Sequence, residues 1–247
     1  MHHRIYIVTA SHDASSEDYS CIPRDEVMAA ARLYSYLEKR WPERVLSSRG
    51  WPRIYHSGHR SITDIRRSES VIILGGPFHN RLAADKMTEI AETFPGFVAM
   101  RVKDGENRDV PLTDCHARKK NGDQLEAYLE RGGVDYKTKI GDDGRCIVDH
   151  ALILRVTSSA PEGGVSQTVW VVAGCRSHSI EPAVRLLTSP EYGGKFAHEV
   201  GGTRDFCAVI EASCIRDRFE PTVVYFSPPG SGQHVPPELA LTAVTTA

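Results

Sequence analysis

Ser70-Val-Ile-Ile-Leu-Gly-Gly-Pro77 is the stretch whose reading decides the fold class. Val71 to Leu74 form an unbroken apolar run with no polar residue between them, as a strand covered on both faces requires. Gly75-Gly76-Pro77 ends that run abruptly. Asn80 then stands where a helix N-cap belongs, ahead of the stripe Ala83, Met87, Ile90 and Phe94, which Pro95-Gly96 closes. Strand, glycine turn and helix in this order are the unit from which α/β sheets are built.

The unit recurs on either side. Downstream, Thr168-Val-Trp-Val-Val-Ala173 is a continuous strand and Gly174-Cys-Arg-Ser177 a turn. Ile180, Val184 and Leu187 mark a short helix that Ser179 can cap, with Glu181 and Pro182 in its first turn. Upstream, Arg4-Ile-Tyr-Ile-Val8 is a strand running into the polar Thr9 to Asp13. Val27, Ala31, Tyr34, Leu37 and Trp41 then give a helix over residues 24–41, stopped by Pro42. Phe97 to Val102 and Ala151 to Val156 read as strands, and Asp123 to Glu130 as a short helix that Gly132-Gly133 terminates. Phe206 to Ala212 and Thr222 to Phe226 read as an antiparallel pair at a sheet edge. The expected fold is α/β, with a mostly parallel, doubly wound sheet of Rossmann-like or flavodoxin-like type and an antiparallel edge hairpin near the C-terminus. The expected organisation is a single domain over residues 1–227 with a polar insertion around 103–145. A Pro/Gly/Ser/Thr-rich flexible tail follows at 228–247.

Composition narrows the function classes. The 247 residues are 40% apolar and 25% charged, and 30 Lys+Arg against 32 Asp+Glu leave a formal charge of −2, unlike a protein that coats nucleic acid or anionic membrane. Arg60, Arg66-Arg67 and Arg118-Lys119-Lys120 lack interleaved aromatics and read as solvated faces, so nucleic acid is not the expected partner. The apolar runs fall far short of the roughly 20 residues a membrane span needs. The N-terminus lacks the apolar core of a secretion signal, which makes the expected location cytoplasmic. Six cysteines show no zinc-type spacing and read as reduced, mostly buried side chains. His56 with His59, and Cys175 with His178, find no third and fourth ligand, so neither a metal nor a cofactor is expected.

In an open parallel sheet, ligands bind beyond the carboxyl ends of the strands, where adjacent connections leave toward opposite faces. Three segments converge there if the fold is as expected: Thr9 to Asp13, Gly75 to Asn80 and Gly174 to Ser179. The candidate ligand-binding residues are Thr9, Ser11, Gly75, Gly76, Asn80, Gly174, Arg176, Ser177 and Ser179. Glycines let a ligand approach backbone N–H groups, and a helix start favours phosphate, ribose or carboxylate. The plainer alternative is that the glycines only permit tight turns and Asn80 only caps its helix. His12, Asp13 and His178 are the candidate acids or bases, with His79 and Asp149-His150 also considered. Neither G-x-x-x-x-G-K-[ST], G-x-G-x-x-G nor G-x-S-x-G occurs.

Through Ile5-Tyr-Ile-Val8, Val71-Ile-Ile-Leu-Gly-Gly76 and Val171-Val-Ala-Gly174, the chain resembles the Rossmann-like nucleotide-handling domains grouped with nucleoside 2-deoxyribosyltransferases and SLOG-type nucleotide sensors. The likeness covers about half the chain. The transferases' nucleophilic carboxylate on a helix after the early strands is not identifiable, Ser68-Glu69-Ser70 stands where an Asp is usual, and Gly201-Gly202-Thr203 precedes a strand rather than a helix. The resemblance implies a nucleotide-type ligand. The expected function is therefore a small-molecule binding or sensing module for a nucleotide or phosphorylated ligand, of use in signalling. The alternatives are an enzyme for N-glycosidic hydrolysis or transfer, and a protein-interaction module presenting Lys103 to Gly122.

Overall fold

In the computed structural model, residues 5–9, 24–40, 54–56, 70–158, 167–190, 205–215 and 218–227 are described. The strands are β1 (Ile5–Thr9), β2 (Ile54–His56), β3 (Ser70–Leu74), β4 (Ala99–Asp104), β5 (Leu125–Arg131), β6 (Val134–Lys137), β7 (Lys139–Ile140), β8 (Cys146–Ser158), β9 (Gln167–Gly174), β10 (Phe206–Ile215) and β11 (Arg218–Ser227). The helices are α1 (Arg24–Arg40), α2 (Arg81–Thr93), α3 (Leu112–Lys120) and α4 (Ile180–Thr188), the last preceded by a 3₁₀ turn at Ser177–Ser179.

The main sheet is eight-stranded in the order β11-β10-β8-β9-β3-β1-β2, with β7 paired to β8. It is mixed, which corrects the expectation of a mostly parallel, doubly wound sheet. Only β2, β1, β3 and β9 run parallel to their neighbours, while β9, β8, β10 and β11 pair antiparallel. The cause is loop length. Residues 159–166 join β8 to β9, too few for the dozen or more that a parallel crossover needs. Two residues likewise separate β10 from β11, and that pair occupies the sheet edge.

Both faces of the sheet are apolar, which explains the unbroken run in β3. Val71 and Ile73 join one core with Val171, Leu152, Leu154 and Val209, while Ile72 and Leu74 join the other with Val172, Ile153 and Ile210. The second face is covered by α1 and α4 through Ala29, Ala30, Leu33, Leu37, Ile180, Ala183, Val184 and Leu186. The first is covered by α2 through Leu82, Ala83, Met87 and Ile90, together with a separate antiparallel sheet in the order β4-β5-β6.

That second sheet changes the reading of residues 103–145. Val110, Cys115, Ala127 and Leu129 are buried and belong to the core, so the segment is a packed layer rather than a polar excursion. Asp123 to Glu130 is not a helix. Its Leu125, Ala127 and Leu129 alternate as β5, and Gly132-Gly133 is a hairpin turn with both φ values positive, 56° and 83°. Helix α1 is also rotated from its expected face: Val27 is 47% exposed, while Glu26, Ala29, Ala30, Leu33 and Leu37 are buried.

Candidate functional site

Strand β3 sends its helix to one face of the sheet, and its neighbours β1 and β9 send theirs to the other. The carboxyl end of β3 is thus flanked by connections of opposite direction, the arrangement that opens a crevice. There the loop after β3 meets the loop after β9. A Cβ added to Gly76 would stand 3.0 Å from the carbonyl oxygen of Gly174, so the two backbones approach as closely as side chains permit. Above this contact lies a cleft of about 310 Å³. Gly76, Phe78 and His79 line it from the first loop, and Gly174, Cys175, Arg176, Ser177 and His178 from the second. Glu26 comes from α1, Lys119 from α3, Leu125 to Ala127 from β5, and Thr138 from the connection between β6 and β7.

Of the sequence candidates, Gly76, Gly174, Arg176, Ser177 and His178 are brought together in this lining. Gly75 lies just behind it with φ of 102°, and a Cβ there would come within 2.9 Å of the Glu26 carboxylate. Thr9 is buried at the end of β1 and is not among the described lining residues. Ser11, His12 and Asp13 fall outside the described residues.

Two candidates serve the fold instead. Asn80 is fully buried; its Oδ1 accepts from the Ala83 N–H (3.1 Å) and its amide donates to the Leu74 carbonyl (2.9 Å), capping α2 and tying it to β3. Ser179 is equally buried, donating its hydroxyl to the His150 carbonyl (2.9 Å). Gly174 is required sterically, because a Cβ would lie 2.0 Å from the Arg176 carbonyl oxygen.

The start of the 3₁₀ turn and α4, expected to receive an anion, already holds one. Asp149, fully buried on β8, accepts at Oδ1 from the N–H groups of Arg176 (3.1 Å) and His150 (2.9 Å) and from the Thr138 hydroxyl (3.1 Å). Its Oδ2 accepts from the N–H of Ser179 (3.0 Å). Asp149 is therefore an internal anchor and not an acid or base facing solvent. Its neighbour His150 packs edge-on against Tyr136 and lies 3.5 Å from Glu211, and burial lowers its pKa against the pull of that carboxylate.

His178 is half exposed and held from two sides, with Nδ1 3.3 Å from the Asp25 carboxylate and the ring stacked on Phe219 at 5.1 Å. Cys175 is no nucleophile here: burial pushes its thiol well above the usual range, and the charges of Asp149 and Glu126 push the same way. The chemistry on offer is hydrogen bonding and charge. Glu26 and Glu126 supply carboxylates, and Lys119, Arg176, His79 and His178 supply donors.

Glu26, Glu126 and Thr138 are not singled out by the sequence reading, and Lys119 is read there only as part of a solvated basic cluster. A signal for Glu26 existed: it continues the buried row Leu37, Leu33, Ala30 by helical steps, and a carboxylate on a core face calls for an explanation. A wider groove of about 830 Å³ runs between α2 and β4; its floor is apolar, with Met87, Met100, Val102, Leu152 and Leu154 all buried, and Glu92, Arg101, Asp109 and Glu130 also line it, Arg101 being paired with Glu130. In the smaller cleft the polar groups gather at the carboxyl ends of β3 and β9.

Among the described residues no group of His, Cys, Asp or Glu is arranged to hold a metal, and no helix is long and apolar enough to cross a membrane. No family model, no curated protein and no solved structure matches the chain.

Proposed function

We propose that the cleft at the carboxyl ends of β3 and β9 binds a small nucleotide-type ligand. The observation that carries this reading is the contact between Gly76 and Gly174 at the base of a cleft that also gathers Glu26, Lys119, Arg176 and His178. Its volume of about 310 Å³ lies at the small end of the usual roughly 300–1,000 Å³ for ligand sites, which fits one nucleoside-sized molecule. A carboxylate suits ribose hydroxyls or an exocyclic amine, and exposed cations suit phosphate. The same reading makes the protein a cytoplasmic sensor that binds its ligand without consuming it.

A second reading, cleavage or transfer at an N-glycosidic bond, is favoured by one feature. Glu26 places a buried carboxylate on the helix after the first strand, facing the cleft, where a nucleophile or proton acceptor would stand.

A thermal-shift screen of the purified chain against mono- and cyclic nucleotides, NAD and ADP-ribose tests both, with chromatography of each mixture afterwards. A ligand at a hundred times its dissociation constant adds about 2.7 kcal/mol, a midpoint shift of several degrees. Recovery of the ligand unchanged supports the sensor, and a new product supports the enzyme. No shift with any compound removes both readings.

A further inference from the structure

We propose that the ligand enters with its hydroxyl- or amine-bearing end inward and its phosphate at the mouth, so that the cleft selects a nucleoside or nucleoside monophosphate over higher phosphates. This rests on the nucleotide-type reading above and fixes the ligand's polarity.

A phosphate-first site needs free N–H groups at the helix start. Here the inner ones are spent, and those left are on the partly exposed Ser177 and His178, away from Asp149. The N–H groups of Arg176 and Ser179 both point to Asp149, and the N–H of Cys175 donates to the His150 carbonyl (2.8 Å). A phosphate pushed to that depth would meet a fully buried carboxylate instead of donors, and like charges at short range in a poorly solvated site repel strongly.

What the inner cleft offers is acceptors. Glu26 contributes its carboxylate, only 1% exposed, and the Thr138 hydroxyl, which donates its hydrogen bond to Asp149, can act toward a ligand only as an acceptor. Hydroxyl and amine groups satisfy such a lining and phosphate does not. The cations sit outside. Arg176 and Lys119 are exposed, and among the described residues neither side chain has a hydrogen-bond or ion-pair partner. They meet a single phosphate at the mouth in water, where contacts are weak and screened by salt.

Titration calorimetry of the four ribonucleosides, their 5′-monophosphates and 5′-triphosphates, and pyrophosphate tests this on the full chain and on an Arg176→Ala/Lys119→Ala variant. The expected result is that a bound nucleoside lies within about tenfold of its monophosphate, that the triphosphate gains no more, and that pyrophosphate alone does not bind. The double variant loses the monophosphate's advantage over the nucleoside. Raising salt toward 1 M does the same to the unaltered chain, a readout independent of the variant's folding. A triphosphate or pyrophosphate bound about a hundredfold tighter than the nucleoside, with the preference surviving the double variant, overturns the orientation while leaving nucleotide binding in place. Failure of every nucleoside and nucleotide to bind removes the parent reading and this inference with it.

Discussion

The loops that follow β3 and β9 begin alike, glycine at a strand end leading into a helix, yet they close in different ways. Asn80 caps α2 from within its own loop, bonding to Ala83 three residues on and to Leu74 six residues back. The helix start after β9 is closed from a distance by Asp149, 27 residues before Arg176 and 30 before Ser179. The first closure is local and independent of the rest of the molecule. The second exists only once β8 has paired antiparallel with β9, because that pairing carries Asp149 to the end of the neighbouring strand. A glycine turn ahead of a helix is thus no sign of a vacant anion site until the carboxylates of neighbouring strands have been placed.

Replacing Asp149 breaks this comparison most severely. Asp149→Ala leaves the N–H groups of Arg176 and of the buried Ser179 without their acceptor, and hydrogen bonds to a charged group contribute about 1.5–3 kcal/mol each. We expect a loss of at least about 3 kcal/mol in urea unfolding, against less than half of that if the closure is cosmetic. Gly174→Ala comes next, because its Cβ would collide with the Arg176 carbonyl and force the turn to move. About 2 kcal/mol is expected from the same measurement, and an unchanged midpoint would show that the turn has slack. Asn80→Ala, which removes the local cap, should cost about 1 kcal/mol and leave the second loop untouched.

A carboxylate clasp closed locally, that of Asp104, sharpens the contrast through pH. Its side chain accepts from the backbone N–H groups of Arg108 and Glu106 and from the Arg108 and Arg118 guanidiniums. The Arg108 N–H first, and then the two guanidiniums, hold its pKa well below the usual carboxylate range. The folded chain therefore binds that proton less readily than the unfolded one. The clasp's stabilisation is full above about pH 4 and is lost as pH falls toward the lowered value. The stability difference between the unaltered chain and Asp104→Asn should be present at pH 7 and shrink below about pH 4. A difference that stays constant through that window would mean the clasp does not act through its charge.

The same division into local and distant causes governs what was legible in the sequence. Strand β3, the Asn80 cap, β9 and the helix after it are stated by residues that lie next to one another, and each was read from them. Strand β5 was not, because Leu-Glu-Ala-Tyr-Leu-Glu-Arg is rich in helix formers and extends only through its ladders with β4 and β6. The antiparallel half of the sheet was legible in principle, since the short span of residues 159–166 forbids a crossover helix. Among site residues, the glycines, Arg176, Ser177 and His178 follow from strand-end position. Glu126, Lys119 and Thr138 arrive by tertiary packing of the second sheet and α3, which no local spacing announces.

Hydrogen–deuterium exchange, with and without the tightest nucleoside of the titration panel, tests the central claim most directly. The account predicts that slowed exchange concentrates in residues 75–80, 125–127 and 174–179, the segments that wall the cleft. Protection confined to the groove between α2 and β4, or spread without regard to the ends of β3 and β9, would contradict it.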